Sequence, residues 1–335
     1  MKLAAVASPE SFALLGPGFG GDGWTLLSGL RETSGSPELV YASFEALGSA
    51  PRRFVAERRE AATIEIEPPR TAPQVVLRAE GYRESVARIR EAIAAGDVYQ
   101  VCYTVRAELR IAGGSGLLAT MCRSGVPRFA AWVRLPDGEE FVSASPELFF
   151  ETRGRRIHTE PMKGTARPGA TGALESSEKD RAELAMITDL LRNDLAQVCT
   201  PRSVRVECER RIMELPYALQ TVSDVVGELA EGASPLDALA VLHPGGSVTG
   251  APKLAALAMI RDLESGPRGA YCGALGLCTQ DGCTFSMLIR TASRTDAGWV
   301  YGVGSGIVYD SDAEQELEEL EVKLGALRCG TRSCD

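Results

Sequence analysis

The stretch AYCGALGLCTQDGCTFSMLIRTASRTDAGWVYGVG, residues 270–304, decides the fold. Short apolar blocks are interrupted at Gln280-Asp281-Gly282 and at Asp296-Ala297-Gly298, each a turn signal ending in glycine. The segment therefore reads as a β-meander, and short turns of this kind reverse the chain into antiparallel pairs. Working outward, Pro252 suits the first position of a helix on one side, and residues 313–327 carry helical periodicity on the other. Val86, Ile89 and Ile93 recur at helical spacing over 82–95, with Gly96 as a natural stop. Strand-like segments follow at 98–106, 129–135 and 141–150, the last broken at Pro146, and another helix covers 178–198. Residues 1–75 are rich in Gly, Pro and Ser, with β-like pieces at 38–44 and 63–66. No regular βαβ alternation is present, so the expected class is α+β with largely antiparallel sheet.

Composition narrows the function. The chain of 335 residues carries a net charge of −9, which disfavours nucleic acid and anionic membranes as partners, since both would repel it at long range. With 44% hydrophobic and 24% charged residues it can bury a substantial core. The nine cysteines are scattered and include no CxxC pair, so neither a disulfide framework nor a zinc site is expected, and a reducing compartment fits. No uncharged apolar run approaches the roughly 20 residues of a membrane span, and the start MKLAAVASPESF lacks a charged-then-apolar leader. A cytoplasmic protein is the expectation. Only His158 and His243 are available for histidine chemistry.

On the last helix Leu317, Leu320, Leu324 and Leu327 form an apolar stripe, with Glu316, Glu319 and Lys323 together on its flank and Glu314, Glu318 and Glu321 facing away. Carboxylates beside the core edge suit a hard cation, although a solvated charge cluster has the same spacing. Glu183 shares a helical face with Ile187 and Leu190, where an unpaired charge is expensive. Either a divalent ion shared with Glu316 and Glu319 or an ion pair with Lys or Arg would answer that cost. Three glycine-bearing segments, 243–253 with Gly250, 271–273 with Tyr271, and 302–306 with Gly304 and Gly306, allow backbone amides to approach an anion, or simply form tight turns. Arg290, within the strand-like 285–292, offers a bidentate partner to a carboxylate. Lys163 lies beside Gly164; it becomes a nucleophile only if its pKa of about 10.4 is lowered, and is otherwise a solvated loop lysine.

Together the strings GDVYQVCYT, SPELFF, EPMKGTARPG, EKDRAELAMITDLLRNDLAQV, HPGGSVTGAPK, AYCGALG, FSMLIRT and GSGIVYDSDAEQELEELEVK resemble the chorismate-utilising enzymes, and within them the aminodeoxychorismate synthase component I group. The resemblance covers residues 80–327. It implies a large antiparallel β-sandwich surrounded by helices, with chorismate and magnesium in a cleft, residues 1–75 being a shortened N-terminal part of the sandwich continuous with 76–335. It further implies Glu183, Glu316 and Glu319 as magnesium ligands, and Gln100, Thr165, Gly250, Tyr271, Arg290, Gly304, Gly306 and Lys323 as substrate-binding positions. Glu147 matches the acid that protonates the hydroxyl departing from ring carbon 4, and Lys163 the amine that attacks ring carbon 2.

Two positions discriminate within the family. Gln100 stands where water-adding members resemble one another in having a lysine, and Lys163 where anthranilate synthases usually have alanine. The implied reaction is amination of chorismate to 4-amino-4-deoxychorismate, for p-aminobenzoate and folate or a secondary pathway. Ammonia would come from a separate glutamine amidotransferase subunit. Anthranilate formation, or a catalytically silent paralogue, are the competing readings. Gln220 departs from the family, which commonly has histidine there, and Ala166-Arg167-Pro168 departs from the usual sequence after KGT.

Overall fold

The computed structural model describes residues 11–20, 23–66, 73–166, 169–215 and 218–328. The described residues form seven α-helices: α1 (Tyr82–Ala95), α2 (Gly113–Met121), α3 (Thr171–Ser176), α4 (Glu178–Ala196), α5 (Pro235–Leu242), α6 (Lys253–Leu263) and α7 (Ala313–Arg328). Two antiparallel sheets of ten strands each complete the architecture. The first runs Gly250–Ala251, Gln100–Arg110, Gly298–Ile307, Thr291–Thr295, Glu140–Ser145, Phe129–Arg134, Phe12–Leu15, Trp24–Ser28, Arg58–Ala62, with Gln74–Arg78 also paired to Gln100–Arg110. The second runs Met162–Ala166, Ala218–Glu228, Arg156–Thr159, Leu148–Arg153, Cys283–Met287, Ala274–Cys278, Leu39–Ala42, Arg52–Val55, Arg31–Glu32, with Arg205–Leu215 along Ala218–Glu228.

Alternation along the strands divides the core in two. Ala13, Leu15, Phe129, Ala131 and Val133 from the first sheet pack with Leu39, Tyr41, Leu275 and Leu277 from the second. The intervening positions Phe12, Leu14, Ala130 and Trp132 belong to a larger cluster that also takes in Leu117 and Leu118 of α2. Period-two side chains thus serve a sheet-to-sheet core on one face and helix packing on the other. The expected α+β sandwich surrounded by helices is what the chain adopts.

Several sequence expectations need correction. Residues 270–304 are not one meander but two hairpins in different sheets: Ala274–Cys278 pairs with Cys283–Met287 in the second, Thr291–Thr295 with Gly298–Ile307 in the first. The chain changes sheet across Leu288-Ile289-Arg290, and Arg290, expected within a strand, sits in that corner with φ 50°. A second corner at Pro146-Glu147 takes the chain from Glu140–Ser145 to Leu148–Arg153, because proline cannot continue the ladder. The corners are tied together, Ala144 N donating to Arg290 O (3.0 Å) and Met287 N to Glu147 O (3.3 Å). Pro252 caps α6 rather than beginning it, and residues 63–66 lie beyond the strand Arg58–Ala62. Cys278 and Cys283, directly opposite across their hairpin, form a disulfide that the scattered cysteine spacing concealed. Residues 1–10 and Arg167-Pro168, both used above, lie outside the described residues.

Candidate active site

Lys163 is carried by the strand Met162–Ala166, opposite Thr221, whose hydroxyl donates to the Lys163 carbonyl. α4 lies over this strand, closely enough that a Cβ on Gly164 (φ 69°) would meet the Asp180 carboxylate at 2.8 Å. The helix starts where the Ser177 hydroxyl accepts from Asp180 N (3.1 Å), and its second turn brings Glu183 to Lys163, Oε2 to Nζ 3.2 Å. The ion pair left open as an alternative for Glu183 is therefore present, and its partner is the candidate nucleophile.

Glu147 occupies the Pro146 corner and is 6% exposed. Burial pushes its carboxyl up to about 7, opposed by a hydrogen bond from Ser247 Oγ (3.2 Å) and by the positive charge of Lys163. A carboxyl held near neutrality exchanges its proton readily at physiological pH, which is what a general acid needs. Ser247 lies in HPGGSVTGAPK, but only the structure shows that its hydroxyl faces the acid.

α7 begins where Asp312 accepts from Glu314 N and Gln315 N, both at 3.1 Å. Leu320, Leu324 and Leu327 are buried, as its apolar stripe required. Glu316 is 5% exposed and accepts from Ser311 Oγ at 2.8 Å; among the described residues no Lys or Arg forms an ion pair with it. Glu183 and Glu316 face one cavity of about 500 Å³, lined also by Asp310, Ser311, Asp312 and Gln315. Glu319 lies a turn further along, exposed, with Lys323 Nζ at 2.7 Å from its carboxylate. The three acids thus do not meet at a point: two share a cavity and the third flanks it. Hard oxygens around a buried glutamate without a Lys or Arg partner suit a divalent cation in that cavity.

The glycine segments assemble alongside. Gly304 lies opposite Thr104 and Gly306 opposite Cys102, and a Cβ on Gly306 would collide with Gln100 Nε2. Gly250 (φ 141°) pairs with Val101, and a Cβ there would strike the Gln100 carbonyl. Gln100 is 2% exposed, and among the described residues its Oε1 has no hydrogen-bond partner. Lys323 Nζ donates to Gly304 O (2.7 Å), and the Tyr271 ring lies against Gly302. Thr165 accepts from Gln220 Nε2 at 3.3 Å. Neither histidine joins this group. His243 Nε2 is bonded to Ser43 O (2.7 Å), and His158 belongs to a salt network of Glu160, Asp224, Arg128 and Arg211 on the second sheet. Of all the described residues, His158, Glu160 and Asp224 are the three whose ligating atoms lie within 4.8 Å of one another, but their carboxylates are already committed to arginines.

A buried acid, an amine and a carboxylate-lined cavity thus lie near the glycine-rich strands. A family model described as chorismate binding enzyme matches residues 39–328, and the chain belongs to that family. It is 37% identical over 264 residues to anthranilate synthase component 1 of Streptomyces coelicolor, covering 76% of this chain and 52% of the relative. It is 39% identical over 263 residues to aminodeoxychorismate synthase of Streptomyces pristinaespiralis, covering 74% and 36% respectively. The chain therefore spans about half or less of the length of these curated relatives. Among solved structures, anthranilate synthase component I from Streptococcus pneumoniae TIGR4 superposes with a TM-score of 0.70 at 26% identity, over 78% of this chain and 61% of that one. A putative 2,3-dihydroxybenzoate-specific isochorismate synthase from Bacillus anthracis gives 0.77 over 97% of both chains at 19% identity, a likeness of fold.

Proposed function

We propose that the protein aminates chorismate at ring carbon 4, giving 4-amino-4-deoxychorismate. The observation that carries this reading is Lys163, 3.2 Å from the carboxylate of Glu183, with its positive charge also felt by the buried acid Glu147, whose carboxyl is pushed up to about 7. In the reaction, Lys163 gives a proton to Glu183, 3.2 Å away, and its free amine forms a bond to ring carbon 2. Both ring double bonds shift by one position, from carbons 1–2 and 5–6 to carbons 1–6 and 4–5, and the hydroxyl leaves carbon 4, taking the proton of Glu147, since hydroxide itself is a poor leaving group. Ammonia then bonds to carbon 4 as the lysine nitrogen departs from carbon 2. Gly304, Gly306, Tyr271, Arg290 and Lys323 hold the substrate's carboxylates and enolpyruvyl group, with Gln100, Thr165 and Gly250 completing the wall. Magnesium, held by Glu183 and Glu316 with Glu319 at the margin, would neutralise the ring carboxylate and make the ring a better electron acceptor. Ammonia is supplied by a separate glutamine amidotransferase subunit, and the product feeds p-aminobenzoate and folate synthesis or a secondary pathway in the cytoplasm. Among the described residues no helix is long and apolar enough to cross a membrane.

The names of the relatives favour anthranilate formation as the second reading. Incubation of chorismate with the protein, magnesium and ammonium, followed by mass analysis, separates the two. A product in which OH is replaced by NH2 and the enolpyruvyl group survives is expected; pyruvate and anthranilate would establish the second reading, and unchanged chorismate a silent paralogue. Lys163→Ala should abolish amination at carbon 4, and full retention would remove the lysine from the chemistry.

A further inference from the structure

We infer that Arg268 is a positioning residue for this reaction: its guanidinium spans the two backbones that carry Ser247 and face Gly304–Gly306, and so fixes the acid's hydrogen-bond partner relative to the glycine wall. The inference rests on the reading of Glu147 as the acid. Arg268 follows α6 and its side chain is 3% exposed, paired with Glu264 at 7%. Nε and Nη2 donate to Glu264 (2.9 and 2.6 Å), Nη1 to Val248 O (2.6 Å), and Nη2 also to Cys102 O (2.7 Å). Glu264 in turn accepts from Thr104 N and Thr104 Oγ1, both at 2.9 Å, and the Phe44 ring covers the guanidinium carbon at 4.2 Å.

Each contact leads one step from the site. Val248 follows Ser247, which donates to Glu147. Cys102 and Thr104 are the register partners of Gly306 and Gly304. Because the guanidinium is a rigid plane, two carbonyls that accept from it cannot slide independently. Burying this pair costs desolvation that packed apolar side chains would avoid, so its place between those two backbones is better explained by position than by stability.

The test reads the Glu147 carboxyl directly, by 13C NMR titration of Glu-labelled protein without substrate, with Glu147→Gln assigning the resonance. Ser247→Ala should raise the midpoint, since a hydrogen bond favouring the carboxylate is gone. Arg268→Lys keeps the charge beside Glu264 but loses the fork. It should raise the midpoint in the same direction, with no further rise in the double variant, and lower kcat about tenfold with little change in KM. If Arg268→Lys has native circular dichroism and a wild-type midpoint while Ser247→Ala moves it, the inference is overturned. Should Arg268→Lys not fold, Glu264→Gln, which frees the guanidinium to shift, replaces it under the same criterion. Wild-type protein that leaves chorismate unchanged would sink the proposed reaction instead, and the titration would still decide whether Arg268 governs the Ser247 to Glu147 contact.

Discussion

Glu147 shows how a single residue ties stability to chemistry. Its folded pKa of about 7 lies above the ordinary 4.5, so between these values the native state holds a proton that the unfolded chain has released. Stability contributed by this group is thus lost as pH rises through that window and stays lost above it. Glu147→Gln should therefore stabilise the protein at pH 8, by up to about 3 kcal/mol, and make no such difference at pH 4, as urea unfolding at the two pH values would record. Equal effects at both would mean that burial does not govern this carboxyl. From residues alone, nothing distinguished Glu147 from any other glutamate; its role came through the resemblance, because its burial arises from a corner that brings distant strands together. Glu183 was more legible. Its inward face could be computed from helical spacing, but whether metal or lysine answered its charge depended on a strand some 20 residues away in sequence.

Among the elements, α1, α4 and α7 and the start of α6 were read to within two residues, since period and caps are local signals, whereas the shorter α2, α3 and α5 were not read. α4 illustrates the price of its start: Ser177→Ala removes the acceptor for Asp180 N and should cost about 1 kcal/mol in a thermal melt, with Glu183 retained. The hairpins were recognised by their turns, but their membership of different sheets was not, because three residues between strands give no signal of direction. The Cys278 to Cys283 disulfide closes one of these hairpins. Cys283→Ser should lower stability by about 2 kcal/mol on the loop-entropy account, and thiol titration of the unfolded wild-type chain, with and without reductant, should differ by the two sulfurs of that bond.

At the scale of the molecule, residues 11–66 supply strands to both sheets, Phe12–Leu15 beside Phe129–Arg134 in one and Leu39–Ala42 beside Ala274–Cys278 in the other. The two sheets therefore share one core and should unfold together. Trp24, Trp132 and Trp299 all lie in the first sheet, so their fluorescence reports on it alone, while far-UV circular dichroism reports on both. Coincident transitions are expected; an earlier loss of circular dichroism would mean that the second sheet melts by itself.

The paired corners at Pro146-Glu147 and 288–290 also bear on how the protein can be altered by insertion. The hairpin tip at 279–281 is exposed and hangs from only one sheet, so an inserted peptide or fluorescent reporter there would perturb a single ladder. The same insertion a few residues later would prise apart both layers at once and carry the acid's own seat with it. Variation in length is tolerable at the rim of this architecture and forbidden at its crossings.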